Sequence, residues 1–134
     1  MAETFHFELV SPERLLVSAN LAEAVIPGQE GDFAALANHS RLVAQGRPGI
    51  LTTKAEGGAE QQYFLRGGFA DVSPNETVVI AEYAVPLEEF TSAMLANEVE
   101  LAQAALEEAN DDAKRYAAGD RLERLTSLQG RIGK

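Results

Sequence analysis

"ETVVIAEYAVPLEEFTSAML", residues 76–95, decides how this chain is built. Its first half, "ETVVIAEYAV", is rich in β-branched and aromatic residues and reads as strand. From Pro86 the period changes. Leu87, Phe90 and Met94 recur at helical spacing, Leu101 and Ala105 continue the stripe, and Leu95, Ala102 and Leu106 widen it. Pro86 suits the first turn of a helix, where a missing N–H is no loss. The stretch therefore divides a β-rich part, 1–85, from a helical part, 86–134.

Upstream, the strand signals are short and closely spaced. In "TFHFEL" Phe5, Phe7 and Leu9 alternate with His6 and Glu8. "RLLVS", "LAEAVI", "GILTTKAE", "EQQYFLRG" and "GFADVS" follow, separated by Ser11-Pro12, Pro27-Gly28, Arg47-Pro48-Gly49, Gly57-Gly58 and Ser73-Pro74-Asn75. Many short strands at such spacing predict an antiparallel sandwich or barrel. Gly57-Gly58 is a hairpin signal. In "RGGFADV", 66–72, paired glycines entering a strand point to a bulge or close backbone packing. The segment 25–43, "VIPGQEGDFAALANHSRLV", is less regular. A strand-like run stops at Pro27-Gly28, an acidic turn follows at Gln29-Glu30-Gly31-Asp32, and a mixed apolar stretch carries His39.

Downstream, Asn110-Asp111-Asp112 reads as a turn and helix N-cap. Ala118, Leu122, Leu125, Leu128 and Ile132 then repeat the helical stripe, giving an antiparallel helical hairpin. Gly119 is expected to interrupt the second helix, with Asp120 and Glu123 as a capping box that restarts it. Charge is segregated. Pro86 to Asp112 holds eight acidic residues and no Lys or Arg, whereas the remainder carries Lys114, Arg115, Arg121, Arg124, Arg131 and Lys134 against Asp120 and Glu123. Two helices of opposite charge can pair, or the basic one can leave for another acidic surface. Exposed ion pairs contribute only about 0.2–1 kcal/mol each, so opening such a hairpin costs little.

The 134 residues suffice for one compact domain with an appendage, and the hydrophobic content of 46% is that of a globular chain. A net charge of −10 argues against nucleic acid and against direct binding to anionic lipid. No apolar run approaches the roughly 20 residues of a membrane span, and the N-terminus lacks a secretory pattern. The expectation is a soluble chain whose membrane association runs only through protein partners. Without cysteine there is no disulfide or thiolate chemistry. His6 and His39 are too far apart for a local ligand pair, so no metal site is expected. No serine sits in a GxSxG elbow, and no P-loop or GxGxxG is present. No catalytic residue is therefore assigned, and an enzyme is the least favoured class.

Several motifs, in order, resemble the epsilon subunit of the F-type ATP synthase. They are Val10-Ser11-Pro12-Glu13, the PGxxGxxxxLxxH-like span from Pro27 to His39, Pro48-Gly49-Ile50-Leu51, and Gly67-Gly68-Phe69 before the helical hairpin. The resemblance covers essentially the whole chain. It implies a flattened antiparallel β-sandwich of about ten strands, then the two helices. It also implies a non-catalytic rotor subunit of the central stalk, peripheral on the cytoplasmic side of a bacterial inner membrane. In that family the sandwich binds gamma and sits on the ring of c subunits. The helices fold against the sandwich or extend toward beta (and alpha) and inhibit ATP hydrolysis.

By the same resemblance, Glu30, Gly31 and Asp32 face the c-ring and His39 lies on the gamma side. Arg121, Arg124 and Arg131 would meet an acidic surface on beta. Some relatives bind ATP through an LDxxRA segment. Here it is Leu87-Glu88-Glu89-Phe90-Thr91-Ser92, without the Arg, so no ATP or other cofactor is expected. Two other classes stand beside this one: a free-standing β-sandwich adaptor or ligand-binding module that dimerises through its hairpin, and a small hydrolase.

Overall fold

Phe5, Phe7 and Leu9 are buried while His6 and Glu8 are only half-buried, as the alternation requires of a strand with one face on a core. The structure, a computed structural model, describes residues 3–29 and 31–128. It contains β1 (Phe5–Val10), β2 (Leu15–Leu21), β3 (Glu23–Gly28), β4 (Gly31–Leu36) and β5 (Leu42–Gln45). These are followed by β6 (Gly49–Lys54), β7 (Glu60–Arg66), β8 (Phe69–Val72), β9 (Glu76–Ile80) and β10 (Tyr83–Pro86). Two helices follow among the described residues, α1 (Ser92–Glu108) and α2 (Asp112–Ser127). One compact unit runs up to Leu87 and a second from Glu88 on.

The ten strands form two five-stranded sheets. The first has the order β2-β1-β9-β8-β5 and the second β10-β7-β6-β3-β4. The predicted sandwich is present, with one departure from a purely antiparallel arrangement. β1 and β9 pair in parallel, His6 opposite Glu76 and Val10 opposite Ile80. Both sheets feed one core. Phe5, Phe7, Leu9, Val72 and Val79 come from the first, and Ile26, Leu51 and Leu65 from the second.

Three readings of strand limits change. "ETVVIAEYAV" is two strands in different sheets, and Ala81-Glu82 carries the chain across. Gly67 and Gly68, with φ of 69° and 96°, make that crossing possible. A Cβ on Gly68 would collide with the Ile80 carbonyl oxygen and lie 2.8 Å from Ala81 Cα. The paired glycines therefore serve close backbone packing, as expected from the sequence. β3 does not stop at Pro27-Gly28 but continues through both, opposite Asp32 and Gly31. β6 pairs with β3 only from Glu23 to Val25, so Pro27 lies beyond that ladder. The segment after the acidic turn, read only as mixed apolar, forms β4 and β5. Both are sheet-edge strands, and Ala-rich "FAAL" lacks the β-branched signature that marks the others. The Gly57-Gly58 hairpin is present: Lys54 faces Glu60, and Gly58 adopts φ 94° in the turn.

Pro86 does not start a helix. It ends β10 opposite Tyr63, on an edge strand where a missing ladder donor is tolerated. A single 3-10 turn, Leu87–Glu89, follows. Helix α1 is then capped by Thr91, whose hydroxyl accepts from Met94 N at 3.2 Å. Asp111 caps α2 by accepting from Lys114 N at 2.8 Å, as "NDD" predicted. The helices contact each other as a hairpin. The buried positions on α1 are Leu95, Glu98 and Ala102, while Leu101, expected on the apolar stripe, is exposed. Gly119 does not break α2. A helical Gly costs about 1 kcal/mol relative to Ala, too little to stop a capped helix with buried Ala118 and Leu125. Asp120 does not cap a restart; it pairs with Arg124 one turn on, at 3.7 Å.

Candidate functional site: a sheet face beside an acidic turn

The ends of β3 and β5 meet. Gln29 N donates to Gln45 O at 2.8 Å, Arg47 N donates to Pro27 O at 3.1 Å, and Gly28 bridges Gly46. These bonds tie the end of β3 in one sheet to the end of β5 in the other. The acidic turn projects from this seam. Gly31 adopts φ 134°, a backbone that side chains disfavour, and a Cβ on Gly28 would stand 2.8 Å from the Gly31 carbonyl. Asp32 is exposed and accepts from Arg47 Nη2 at 3.1 Å. A groove of about 520 Å³ runs beside the turn, lined by Gly28, Asp32, Phe33, Val43 and Gln45 among others. Glu30, also assigned to the turn, lies outside the described residues, as does Arg131.

His39 sits elsewhere. It follows β4, whereas Gly31 and Asp32 begin it, and six strand residues span roughly 20 Å. Asn38, at φ 67°, turns the chain there and donates to Glu3 at 2.6 Å. The His39 ring pairs with the Ser40 carbonyl at 2.6 Å, through Nδ1 as donor. The turn and His39 thus mark opposite ends of one edge strand and cannot act on a single group.

Sequence reasoning missed a row of residues on the outer face of the first sheet. Leu15, Val10, Ile80, Phe69 and Gln45 are successive partners across β2, β1, β9, β8 and β5. Leu15, Phe69 and Ile80 are exposed, and Val43, one same-face step along β5, is 69% exposed. The row lies at the seam end of the sheet, next to the acidic turn. The signal was present in β9. Val78 and Ile80 carry apolar bulk outward while Val79 fills the core, so the strand lacks a polar face over its last residues.

The other end of that face is polar. His6 Nε2 lies 3.0 Å from Glu8 Oε2, and Glu76 is opposite His6 on β9. The hydrogen bond to Glu8 raises the His6 pKa above its ordinary value, with smaller contributions in the same direction from Asn20 and Glu76 and an opposing one from burial. On the hairpin, Arg124 engages Asp120 of its own helix, and Arg121 lines a groove of about 390 Å³ with Ala105, Glu108, Lys114 and Ala118. Among the described residues no helix is long and apolar enough to cross a membrane.

Residues 4–87 match the family model described as ATP synthase, Delta/Epsilon chain, beta-sandwich domain. The chain is 44% identical over 133 residues to the ATP synthase epsilon chain of Sinorhizobium medicae, covering 99% of this chain and 96% of that one. It is 43% identical to the ATP synthase epsilon chain of Parvibaculum lavamentivorans, covering 96% and 98%. Among solved structures it resembles a chain of the Euglena gracilis mitochondrial ATP synthase, OSCP/F1/c-ring, with TM-score 0.73, 32% identity and coverage of 96% and 81%. A chain of the Tetrahymena thermophila mitochondrial ATP synthase shares the fold, with TM-score 0.67 at 13% identity. With the sandwich, the helical hairpin and near-full-length relatives in agreement, the chain belongs to the ATP synthase delta/epsilon family.

Proposed function

We propose that this chain is a non-catalytic central-stalk subunit of a proton-translocating ATP synthase and transmits c-ring rotation to the catalytic head through gamma. The observation that carries the reading is the apolar row Leu15–Val10–Ile80–Phe69 beside the acidic turn. A stalk subunit needs two different surfaces at one place. One must hold a protein shaft without slipping, and an apolar patch on a rigid sheet suits that task. The other must meet the polar loops of the ring, where charge favours register more than affinity. In this reading the outer sheet face packs on gamma, with His39 at the far margin of that contact, and Glu30, Gly31 and Asp32 face the c-ring. The Asp32–Arg47 pair holds the turn's carboxylate in place. Membrane association runs through the complex, on the cytoplasmic side of a bacterial inner membrane.

The hairpin supplies regulation. Arg121, Arg124 and Arg131 meet an acidic surface on beta when α2 is available to it, and the inhibition of ATP hydrolysis is modest because Arg124 already has a partner in Asp120. Reconstituted vesicles test the ring contact. Reversing Glu30 and Asp32 to Lys lowers ATP-driven proton pumping more than it lowers soluble ATP hydrolysis. Unchanged pumping removes the turn from the ring interface. A chain that forms a stable dimer and never co-purifies with the ATPase belongs instead to the class of free-standing binding modules.

A further inference from the structure

The polar end of the first sheet's outer face brings three metal-competent side chains together. Asn20, His6 and Glu76 are partners in one row across β2, β1 and β9, and Glu8 stands one same-face step from His6 on β1. One donor atom from each of His6, Glu8 and Glu76 lies within 4.8 Å of the other two. Among the described residues this is the only such grouping.

We propose that His6, Glu8 and Glu76 form a binding site for a borderline divalent transition-metal ion of the Zn²⁺ class. The donor set fits that class. One imidazole and two carboxylates bind Zn²⁺ at about 2.0–2.2 Å, whereas Mg²⁺ and Ca²⁺ take oxygen ligands and make little use of imidazole. Two carboxylates balance the charge of the ion, and solvent reaches the site for a water as fourth ligand. The backbone positions are already set. His6 and Glu8 share one strand, and the parallel ladder holds Glu76 opposite His6. Only side-chain torsions must change to draw the donors inward, and His6 and Glu8 are already 3.0 Å apart. Asn20 stands opposite His6 in the β1–β2 ladder, where a side-chain amide is placed to serve as the kind of outer contact that orients a metal-binding imidazole. A bound ion would clamp β1 to β9, the parallel pair of the sandwich. The apolar row lies at the opposite end of the same face, and the titration below uses the isolated chain, so metal binding and the proposed gamma contact are tested separately and either can fail alone.

The test is calorimetric titration of the full chain with ZnCl₂ after chelator treatment, alongside His6→Ala and Glu76→Gln. Both side chains face outward and are not buried, so melting without metal verifies that the variants fold. The expected result is one saturable site and a metal-dependent rise in melting temperature. Affinity falls at least tenfold in His6→Ala and several-fold in Glu76→Gln, and a hundredfold excess of Mg²⁺ leaves binding intact. The proposal is overturned by the absence of saturable binding, by equal affinity in the folded variants, or by displacement with Mg²⁺.

Discussion

Phe69 and Ile80 stand directly opposite each other across the β8–β9 ladder, both directed away from the core, and are 42% and 43% exposed. Their neighbours Ala70 and Val79 face inward and are buried. Two large apolar side chains paired on a solvent-facing sheet contribute nothing to this fold's interior. They make sense as half of an interface, and Leu15 and Val43 extend the patch on either side.

The core face of β1 is the simplest claim to check. Phe7 is fully buried and packs edge-to-face with Phe5, ring centroids 6.5 Å apart. Phe7→Ala should cost roughly 3–5 kcal/mol in denaturant unfolding. A loss below about 1 kcal/mol would place that side chain outside the core.

Gly68→Ala probes the crossing between the sheets. The new methyl would strike the Ile80 carbonyl from a backbone at φ 96°. Steric and torsional strain should destabilise the sandwich by at least about 2 kcal/mol. Gly57→Ala, where nothing lies within 4 Å of the added Cβ, serves as the mild comparison. Equal effects from the two substitutions would show that the close approach is absent.

His6 gives a pH dependence with a definite sign. Its pKa is raised in the folded chain, first by the hydrogen bond to Glu8, so the folded state binds the proton more tightly than the unfolded chain. The stabilisation is fully present below the ordinary histidine value of about 6.5 and is lost as pH rises through the folded pKa. With chelator present, melting of the natural chain minus that of His6→Ala should therefore show a small advantage below pH 6 that fades toward pH 8. A flat difference would mean that the His6–Glu8 bond does not persist in solution.

A chain ending at Leu87 should fold, because both sheets and the core they share are complete without the helices. It should still support coupled synthesis in the reconstituted enzyme and release a modest restraint on ATP hydrolysis. That rise should shrink with salt, since exposed ion pairs are screened beyond about 10 Å at 0.1 M. Unfolding of the truncated chain would refute two independent parts, and unchanged hydrolysis at low salt would refute the inhibitory role.

The sandwich was legible because alternation in "TFHFEL" and turn chemistry at Ser73-Pro74-Asn75 and Gly57-Gly58 are local signals that packing did not override. β4 and β5 were not legible. Their residues are held by edge pairing and by the seam at Gly28 and Gly46, contacts between segments that no local pattern encodes. Pro86 and Gly119 misled for a related reason. Each residue has a strong intrinsic preference, yet an edge-strand position accommodates Pro86, and the packed helix α2 carries Gly119 through. The acidic turn was found by its glycines, while the apolar row was missed because, beyond the all-apolar end of β9, its members come together only through pairing across four strands.

Affinity for gamma tests the central claim most directly. The full-length chain and Ile80→Asp should be titrated separately against gamma from the same enzyme, with melting curves of both measured first. Ile80 is exposed, so the substitution should leave folding within a few degrees of the natural chain. The account predicts a stable one-to-one complex for the natural chain and at least hundredfold weaker binding for Ile80→Asp, about 2.7 kcal/mol, because a carboxylate would be buried without a partner. A natural chain that does not bind gamma, or an Ile80→Asp variant that binds it equally well, would contradict the account.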